Sequence, residues 1–252
     1  SLQGIDIAVG ATGDSGADAQ SPIPGAGAVH IIDIGEPGFF APQLLATIGL
    51  GYNGGSNINL VDLGAGDAFG SAVSLDGQRL AVGAPGDDGF QDDFFNTGAA
   101  YLFSFAGSDF SGGNLDSIFG AFYPGTLDFN PAGLGLGSTD EDFFGSSLVL
   151  RGQQLVVGAR GDDGLNDSQS DSGAVYLFNF GGPGFASPVQ SGRIGAGYVA
   201  SAGFSLGLTV GEGFGSALAF DGDRLVVGAP GNDGKGVSAG NAGAAYLFTF
   251  GN

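Results

Sequence analysis

At 252 residues, 42% of them hydrophobic, the chain carries enough apolar material to bury one large core or several small stacked ones, which excludes a disordered polymer. Its 26 Asp and Glu against 6 Lys and Arg leave a formal charge of −20, and such a surface repels phosphate backbones and anionic lipid headgroups, excluding nucleic acid and membranes as partners. With no Cys there are no disulfides or thiolate metal sites, and no apolar run is long enough to insert in a bilayer.

Gly is abundant at 53 residues, but without a Gly-x-y period and beside 22 Phe it does not describe a collagen-like chain. It is expected in turns and in close strand packing. Met is absent, the initiator included, which points to a processed or excised piece of a longer protein.

In chain order, the first strand signal is Ala8-Val9-Gly10-Ala11, followed by Gly27-Ala28-Val29-His30. Phe69-Gly70-Ser71 then precedes a segment ending Val82-Gly83-Ala84, and Gly98-Ala99-Ala100-Tyr101 follows it. The same series returns with Phe144-Gly145-Ser146, Val157-Gly158-Ala159 and Gly173-Ala174-Val175-Tyr176, and again with Phe214-Gly215-Ser216, Val227-Gly228-Ala229 and Tyr246. Spacing within a copy is constant: 13 residues separate the two glycines and 18 separate the second from Tyr101, Tyr176 or Tyr246. With Gly10, Gly83, Gly158 and Gly228 as phase markers the periods are 73, 75 and 70, so one unit occurs four times. The copies occupy approximately residues 1–62, 63–137, 138–207 and 208–252, and the first lacks its Phe-Gly-Ser element, so the chain reads as starting in strand two of a copy and ending in strand three of another.

Each copy predicts about four strands. Asp76-Gly77 and Asp221-Gly222, with Arg151-Gly152 between them in sequence, mark the hairpin joining strands one and two. Strand three of the third copy sets Tyr176, Phe178 and Phe180 on one face and Val175 and Leu177 on the other, as a strand buried between two layers requires. A fourth strand is expected over Ile48 to Tyr52, Ile118 to Tyr123 and Ile194 to Tyr198. No window of helical periodicity competes, so the chain reads as all-β, a β-propeller-like array of about four four-stranded blades whose terminal blades are incomplete.

These landmarks resemble the FG-GAP repeat, the unit of integrin α-subunit β-propellers and of many bacterial exoproteins and adhesins. The resemblance rests on Phe69-Gly70, Leu80-Ala81-Val82-Gly83-Ala84-Pro85-Gly86-Asp87-Asp88-Gly89 and Gly98-Ala99-Ala100-Tyr101-Leu102-Phe103. It implies an extracellular or cell-surface protein, and it does not name a ligand. Integrin-type propellers often carry an Asp-x-Asp-x-Asp-Gly calcium loop in the hairpin leading to the Gly-Ala-Pro strand. Here that hairpin is only Leu75-Asp76-Gly77-Gln78-Arg79, so that site does not carry over.

In an up-and-down sheet the loop before strand one and the loop after strand two share an end. Most of the 26 acids fall in these loops, among them Asp67, Asp87, Asp88, Asp140, Asp142, Asp162, Asp163, Glu212 and Asp233, with Asp14, Asp18, Asp62, Asp92, Asp93, Glu141, Asp167 and Asp171 nearby. Crowded carboxylates raise one another's pKa unless a cation intervenes, so these nine are the expected ligands for Ca2+, completed by backbone carbonyls. The competing expectation is turn chemistry, in which Asp accepts from its own backbone and Gly supplies positive φ.

His30 stands where the other copies have Tyr101, Tyr176 and Tyr246 and is expected to pack, not to catalyse. Phe69, Phe144 and Phe214 are expected to anchor the core, and Arg79 and Arg224 to face solvent beside nearby acids. Nothing breaks the symmetry of the repeat as an active site usually does, so the chain is expected not to be an enzyme. A paired-carboxylate hydrolase built on Asp140, Glu141 or Asp142 is the best enzymatic alternative. The leading expectation is a structural or adhesive extracellular segment that associates with itself or with further repeats of a parent chain through its incomplete ends. The alternative is a discrete propeller that binds a glycan or protein ligand at one rim.

Overall fold

Asp76 and Arg79 are cross-strand partners on either side of Gly77-Gln78, and Arg151 with Gln154 and Asp221 with Arg224 repeat that register. Gly77, Gly152 and Gly222 take φ of 64°, 55° and 69° inside these hairpins. Each hairpin begins a separate sheet in a computed structural model of the chain, which describes residues 1–3, 6–35, 41–92, 95–120, 123, 129, 141–182, 184–199, 203–234 and 240–251.

Among the described residues the strands form four sheets, each drawn from one consecutive stretch of chain. The first contains β1 (Leu2–Gln3), β2 (Asp6–Ala11), β3 (Ala28–Asp33), β4 (Gln43–Gly49) and β5 (Ile58–Asn59). The second contains β6 (Ala72–Asp76), β7 (Arg79–Ala84), β8 (Ala99–Ser104) and β9 (Asn114–Gly120), with a short 3-10 turn at Phe90–Asp92. β10 (Phe144–Arg151), β11 (Gln154–Ala159), β12 (Ala174–Phe180), β13 (Pro188–Ala196) and β14 (Gly203–Leu206) make the third, and β15 (Ala217–Asp221), β16 (Arg224–Ala229) and β17 (Ala244–Thr249) the fourth. Within every sheet the strands lie in sequence order, so the architecture is the expected all-β, propeller-like array of blades, with an incomplete terminal blade of three strands.

Three details differ from the sequence expectation. The fourth strands begin at Gln43, Asn114 and Pro188 and end at Gly49, Gly120 and Ala196, so Tyr52, Tyr123 and Tyr198 lie beyond them, not in them. A short segment then runs parallel to the fourth strand: β5 beside β4, β14 beside β13, and Phe129 bridged to Phe119 in the second sheet. The first copy also keeps a stub of strand one, since Leu2 pairs with Ile7 and Gln3 with Asp6.

Successive sheets stack face to face. On strands two and three alternate side chains point to opposite faces. Leu80, Val82, Tyr101 and Phe103 of the second sheet join Ala8, Val29, Ile31 and Ile48 of the first in one apolar cluster. Ala81, Ala100 and Leu102 on the opposite face join Leu155, Val157, Tyr176 and Phe178 of the third sheet. Val156 and Val175 in turn meet Leu225 and Val227 of the fourth. Phe69, Phe144 and Phe214 are fully buried, as anchoring residues should be, each edge-on to Tyr101, Tyr176 or Tyr246.

The Phe-Gly element locks each junction through backbone. Phe69, Phe144 and Phe214 form parallel bridges to Gly27, Gly98 and Gly173 of the preceding blade. Gly70, Gly145 and Gly215 take φ of 96°, 88° and 95°, a region costly for any residue with a Cβ. A Cβ on the facing strand-two residue, Gly10, Gly83 or Gly158, would overlap the carbonyl oxygen of that same glycine of the next blade. The Val-Gly-Ala glycine and the Phe-Gly glycine are thus two halves of one contact.

Arg79 is not the solvent-facing residue expected. Its side chain is 16% exposed, it pairs with Asp76, and it donates to the carbonyl of Gly152 at 2.5 Å and of Gly184 at 3.4 Å in the next blade. Arg224 does face solvent, 3.6 Å from Asp223. Arg151 reaches Asp221, so an arginine ties the hairpin ends at both of these junctions.

Candidate functional site

The loop after strand two opens with the same construction in every blade. The side-chain oxygen Oδ1 of Asp14, Asp87, Asp162 or Asn232 accepts the backbone N–H two residues on, at 2.8, 2.8, 2.9 and 2.9 Å. Its backbone carbonyl accepts the N–H of Gly27, Gly98, Gly173 or Gly243 just ahead of strand three. The next residue closes the far side of the loop: Asp88, Asp163 and Asp233 accept from the N–H of Asn96, Asp171 and Asn241 at 2.6, 2.6 and 2.8 Å. These are the hydrogen bonds that turn chemistry requires.

Two of these carboxylates are buried with tyrosines on them. Asp87 accepts from Tyr101 Oη at 2.6 Å and from Tyr123 Oη at 2.8 and 2.9 Å. Asp162 accepts from Tyr176 and, at 2.7 Å, from Tyr198. One tyrosine comes from strand three and the other from just past strand four, so a single carboxylate ties three parts of the blade. In the first blade the pattern thins to Tyr52 on Asp14 at 2.9 Å, with His30 in the strand-three place, bonded to Thr47 at 3.1 Å and edge-on to the Tyr52 ring. That is the packing role expected of His30.

Burial pushes the carboxyls of Asp87 and Asp162 above the ordinary aspartate range, while the tyrosine hydroxyls and the N–H of Gly89 or Gly164 pull them back. The same burial, with the carboxylate nearby, drives Tyr101, Tyr123, Tyr176 and Tyr198 upward, so their hydroxyls keep their protons and donate. Arg193 lies over the Tyr198 ring, 3.7 Å from its centroid, and favours the ionised form of Asp162.

The acid ahead of Phe-Gly does meet this loop. The carbonyls of Asp67, Asp142 and Glu212 accept from Gly86, Gly161 and Gly231 at 3.1, 3.0 and 3.0 Å, and all three acidic residues are buried. Asp67 Oδ2 also accepts the Gly64 N–H at 2.7 Å. In the fourth blade Glu212 takes Asn232 Nδ2 at 2.7 Å and Tyr246 Oη at 3.4 Å, so the Asn-for-Asp exchange comes with a direct amide–carboxylate bond.

Asp140 lies outside the described residues, and of Asp92 only the backbone is described. Of the other eight expected calcium ligands, the geometry brings Asp67 to the Asp87 loop, Asp142 to the Asp162 loop and Glu212 to the Asn232 loop. Both oxygens of Asp87 and of Asp162 face O–H and N–H donors, a set that suits a bare carboxylate and repels a cation. Among the described residues no three acidic or histidine side chains converge as a metal site. Composition pointed to the acids but missed Tyr52, Tyr123, Tyr198 and Arg193. The signal for the tyrosines was their recurrence three residues after the fourth-strand glycines Gly49, Gly120 and Gly195.

A cleft of about 370 Å3 opens beside this rim, lined by Val61, Asp62, Leu63, Phe90, Gln91 and Tyr123. Among the described residues no helix is long and apolar enough to cross a membrane.

No curated protein matches the chain. The family model described as the FG-GAP repeat matches residues 58–103, 137–178 and 209–248, half of the chain. Each match runs through a Phe-Gly element, the Val-Gly-Ala strand and the aromatic strand, the three segments that meet at the blade junctions and tyrosine-capped loops. The chain belongs to the FG-GAP repeat family.

Proposed function

We propose that this chain is a non-enzymatic structural or adhesion-type module of an extracellular or cell-surface protein, built to hold shape through stacked blades. FG-GAP repeats are usually extracellular or surface-associated, which supports the setting. The observation that carries the reading is the closed Asp162–Tyr176–Tyr198 cluster and its counterpart at Asp87. Catalysis wants a titratable group facing a reacting atom, whereas these carboxyls are covered and hydrogen-bonded on both oxygens.

In this reading the rim acids order loops without a resident cation. Calcium is the competing account, and melting curves with added calcium and with chelator separate the two. A melting temperature that does not move supports the hydrogen-bonded loops; a rise with calcium supports the cation. Turnover of any member of a glycan panel would remove the non-enzymatic reading altogether.

The rim cleft favours a second reading, a glycan or protein ligand held at this end of the array. Its volume falls in the range of small-ligand sites, and Phe90 and Tyr123 set aromatic rings in its wall. Saturation-transfer NMR against sugars and peptides, with Phe90→Ala as control, tests it.

A further inference from the structure

Asn53-Gly54 is the single Asn-Gly pair of the sequence. It lies in the connection between β4 and β5, directly after Tyr52, whose hydroxyl donates to Asp14 at the rim. Asn53, Gly54 and Gly55 are all exposed, and a Cβ placed on either glycine would meet nothing within 4 Å. The Gly54 N–H has no hydrogen-bond partner among the described residues. The glycines of the acidic loops differ in this respect. Gly89, Gly164 and Gly234 each follow an Asp, but their N–H groups are bound to the side chain two residues before them.

The Asn53 amide also shapes the connection it sits in. Its Nδ2 donates to the Gly51 carbonyl at 2.7 Å, and its Oδ1 accepts from Asn59 Nδ2 at 3.4 Å. Asn59 Oδ1 in turn accepts the Gly51 N–H at 2.6 Å, so both backbone groups of Gly51 are held by this pair of asparagines.

We propose that Asn53 is a self-modification site: the Gly54 nitrogen cyclises onto the Asn53 side chain, and the deamidation that follows releases the β4–β5 connection. The backbone nitrogen of Gly54 attacks Cγ of Asn53 and gives up its proton; the new N–Cγ bond forms, the Cγ–Nδ2 bond breaks, and the amide nitrogen leaves as ammonia. The product is a cyclic imide. Water then opens it at either carbonyl. Attack at Cγ leaves Asp in an ordinary main chain, whereas attack at the backbone carbonyl carbon leaves isoaspartate, with the main chain running through Cγ. The sum is water taken up and ammonia lost, with nothing oxidised or reduced. Glycine suits the attacking position because it has no Cβ to crowd the ring and passes readily between backbone conformations, here starting from φ of 83°.

Either product undoes the hydrogen bonds around Gly51. A carboxylate only accepts, so it cannot donate to the Gly51 carbonyl and is repelled by it. Isoaspartate in addition inserts a methylene into the main chain next to Tyr52, moving the segment from which that ring reaches Asp14.

The test keeps the folded chain at mildly alkaline pH, samples it over time and digests each sample with a protease that cuts before Asp. Asn53 falls in the fragment 33–61, which is expected to exchange NH for O in its mass before any other asparagine-containing fragment does, with the change at residue 53. Conversion to Asp opens a new cut at 53 and conversion to isoaspartate does not, so the products are counted separately. Gly54→Ala, at an exposed position, is expected to slow the conversion by about tenfold or more. Hydrogen exchange of the converted chain is expected to rise at the Gly51 amide and to stay unchanged in the second and third blades.

A folded chain that stays unconverted while a urea-unfolded sample converts shows that the fold shields Asn53 and overturns the proposal. Conversion spread evenly over the other asparagines overturns it as well. Conversion that leaves exchange at Gly51 unchanged contradicts the release of the connection.

Discussion

The hydroxyl of Tyr198 donates to the carboxylate of Asp162 at 2.7 Å from just beyond the fourth strand, while Tyr176 reaches the same carboxylate from the third. Removing that acceptor strands two buried hydroxyls. Asp162→Ala is therefore expected to lose about 2–6 kcal/mol, the cost of leaving two buried donors unsatisfied at about 1–3 kcal/mol each. Asp162→Asn should lose less, because its amide oxygen keeps an acceptor in the cluster; the fourth blade solves the same place differently, with Asn232 Nδ2 donating to Tyr246 Oη and to Glu212. Urea unfolding of the two variants measures the difference, and equal losses would mean that the carboxylate does not organise the blade.

The buried acids also set a pH dependence. Burial raises the folded pKa of Asp87 and Asp162 above the ordinary value of 3.8, so the folded chain holds protons that the unfolded chain has released. Their stabilising contribution is complete below the unfolded pKa and is lost as pH rises through the folded value. Melting temperature is expected to climb as pH falls from neutral toward the raised pKa. Relief of the −20 charge acts in the same direction, so the measurement is comparative. A doubly substituted chain, Asp87→Asn with Asp162→Asn, should show a shallower climb than the unmodified chain; parallel curves would remove these two groups as the cause.

Arg79 holds the hairpin end of the second blade to the third through the carbonyls of Gly152 and Gly184, with the Phe185 ring 5.6 Å from its guanidinium carbon. Arg79→Ala is expected to cost about 1.5–3 kcal/mol, as for hydrogen bonds from a charged group. Arg224→Ala, at an exposed site, should change stability by no more than about 0.5 kcal/mol. Denaturant midpoints for the pair check this, and equal effects would contradict the inter-blade role.

Strands two and three and their hairpin were legible because landmarks such as Gly83 and Tyr101 recur at fixed spacing and both faces of these strands are apolar. The fourth strand was placed too late. Its early residues, Gln43, Leu44 and Asn114, are exposed, and a register shift opposite Ile31/Ile32, Leu102/Phe103 or Leu177/Phe178 interrupts the alternation that would have marked it. The parallel segments at Ile58–Asn59 and Gly203–Leu206 are too short to carry a pattern. At the rim, the sequence displayed the acids as charge. It could not display their partners, since Tyr123 lies 36 residues from Asp87 and reaches it only once the fourth strand has turned back. Arg79 looked solvent-facing because its register on the hairpin is visible and the approach of Gly152 from the next blade is not.

The array depends on blades seated on one another through backbone contact between the strand-two glycine and the next Phe-Gly glycine. The most direct measurement is the stability of Gly158→Ala beside Gly228→Ala, by urea unfolding. The two residues hold the same register position, but a Cβ at Gly158 would overlap the Gly215 carbonyl, whereas one at Gly228 meets only the Ala217 methyl at ordinary distance. Gly158→Ala is expected to cost about 3 kcal/mol or more, the upper range for an overpacked core, and Gly228→Ala to be neutral or slightly stabilising. Equal effects at the two positions would contradict the stacked array.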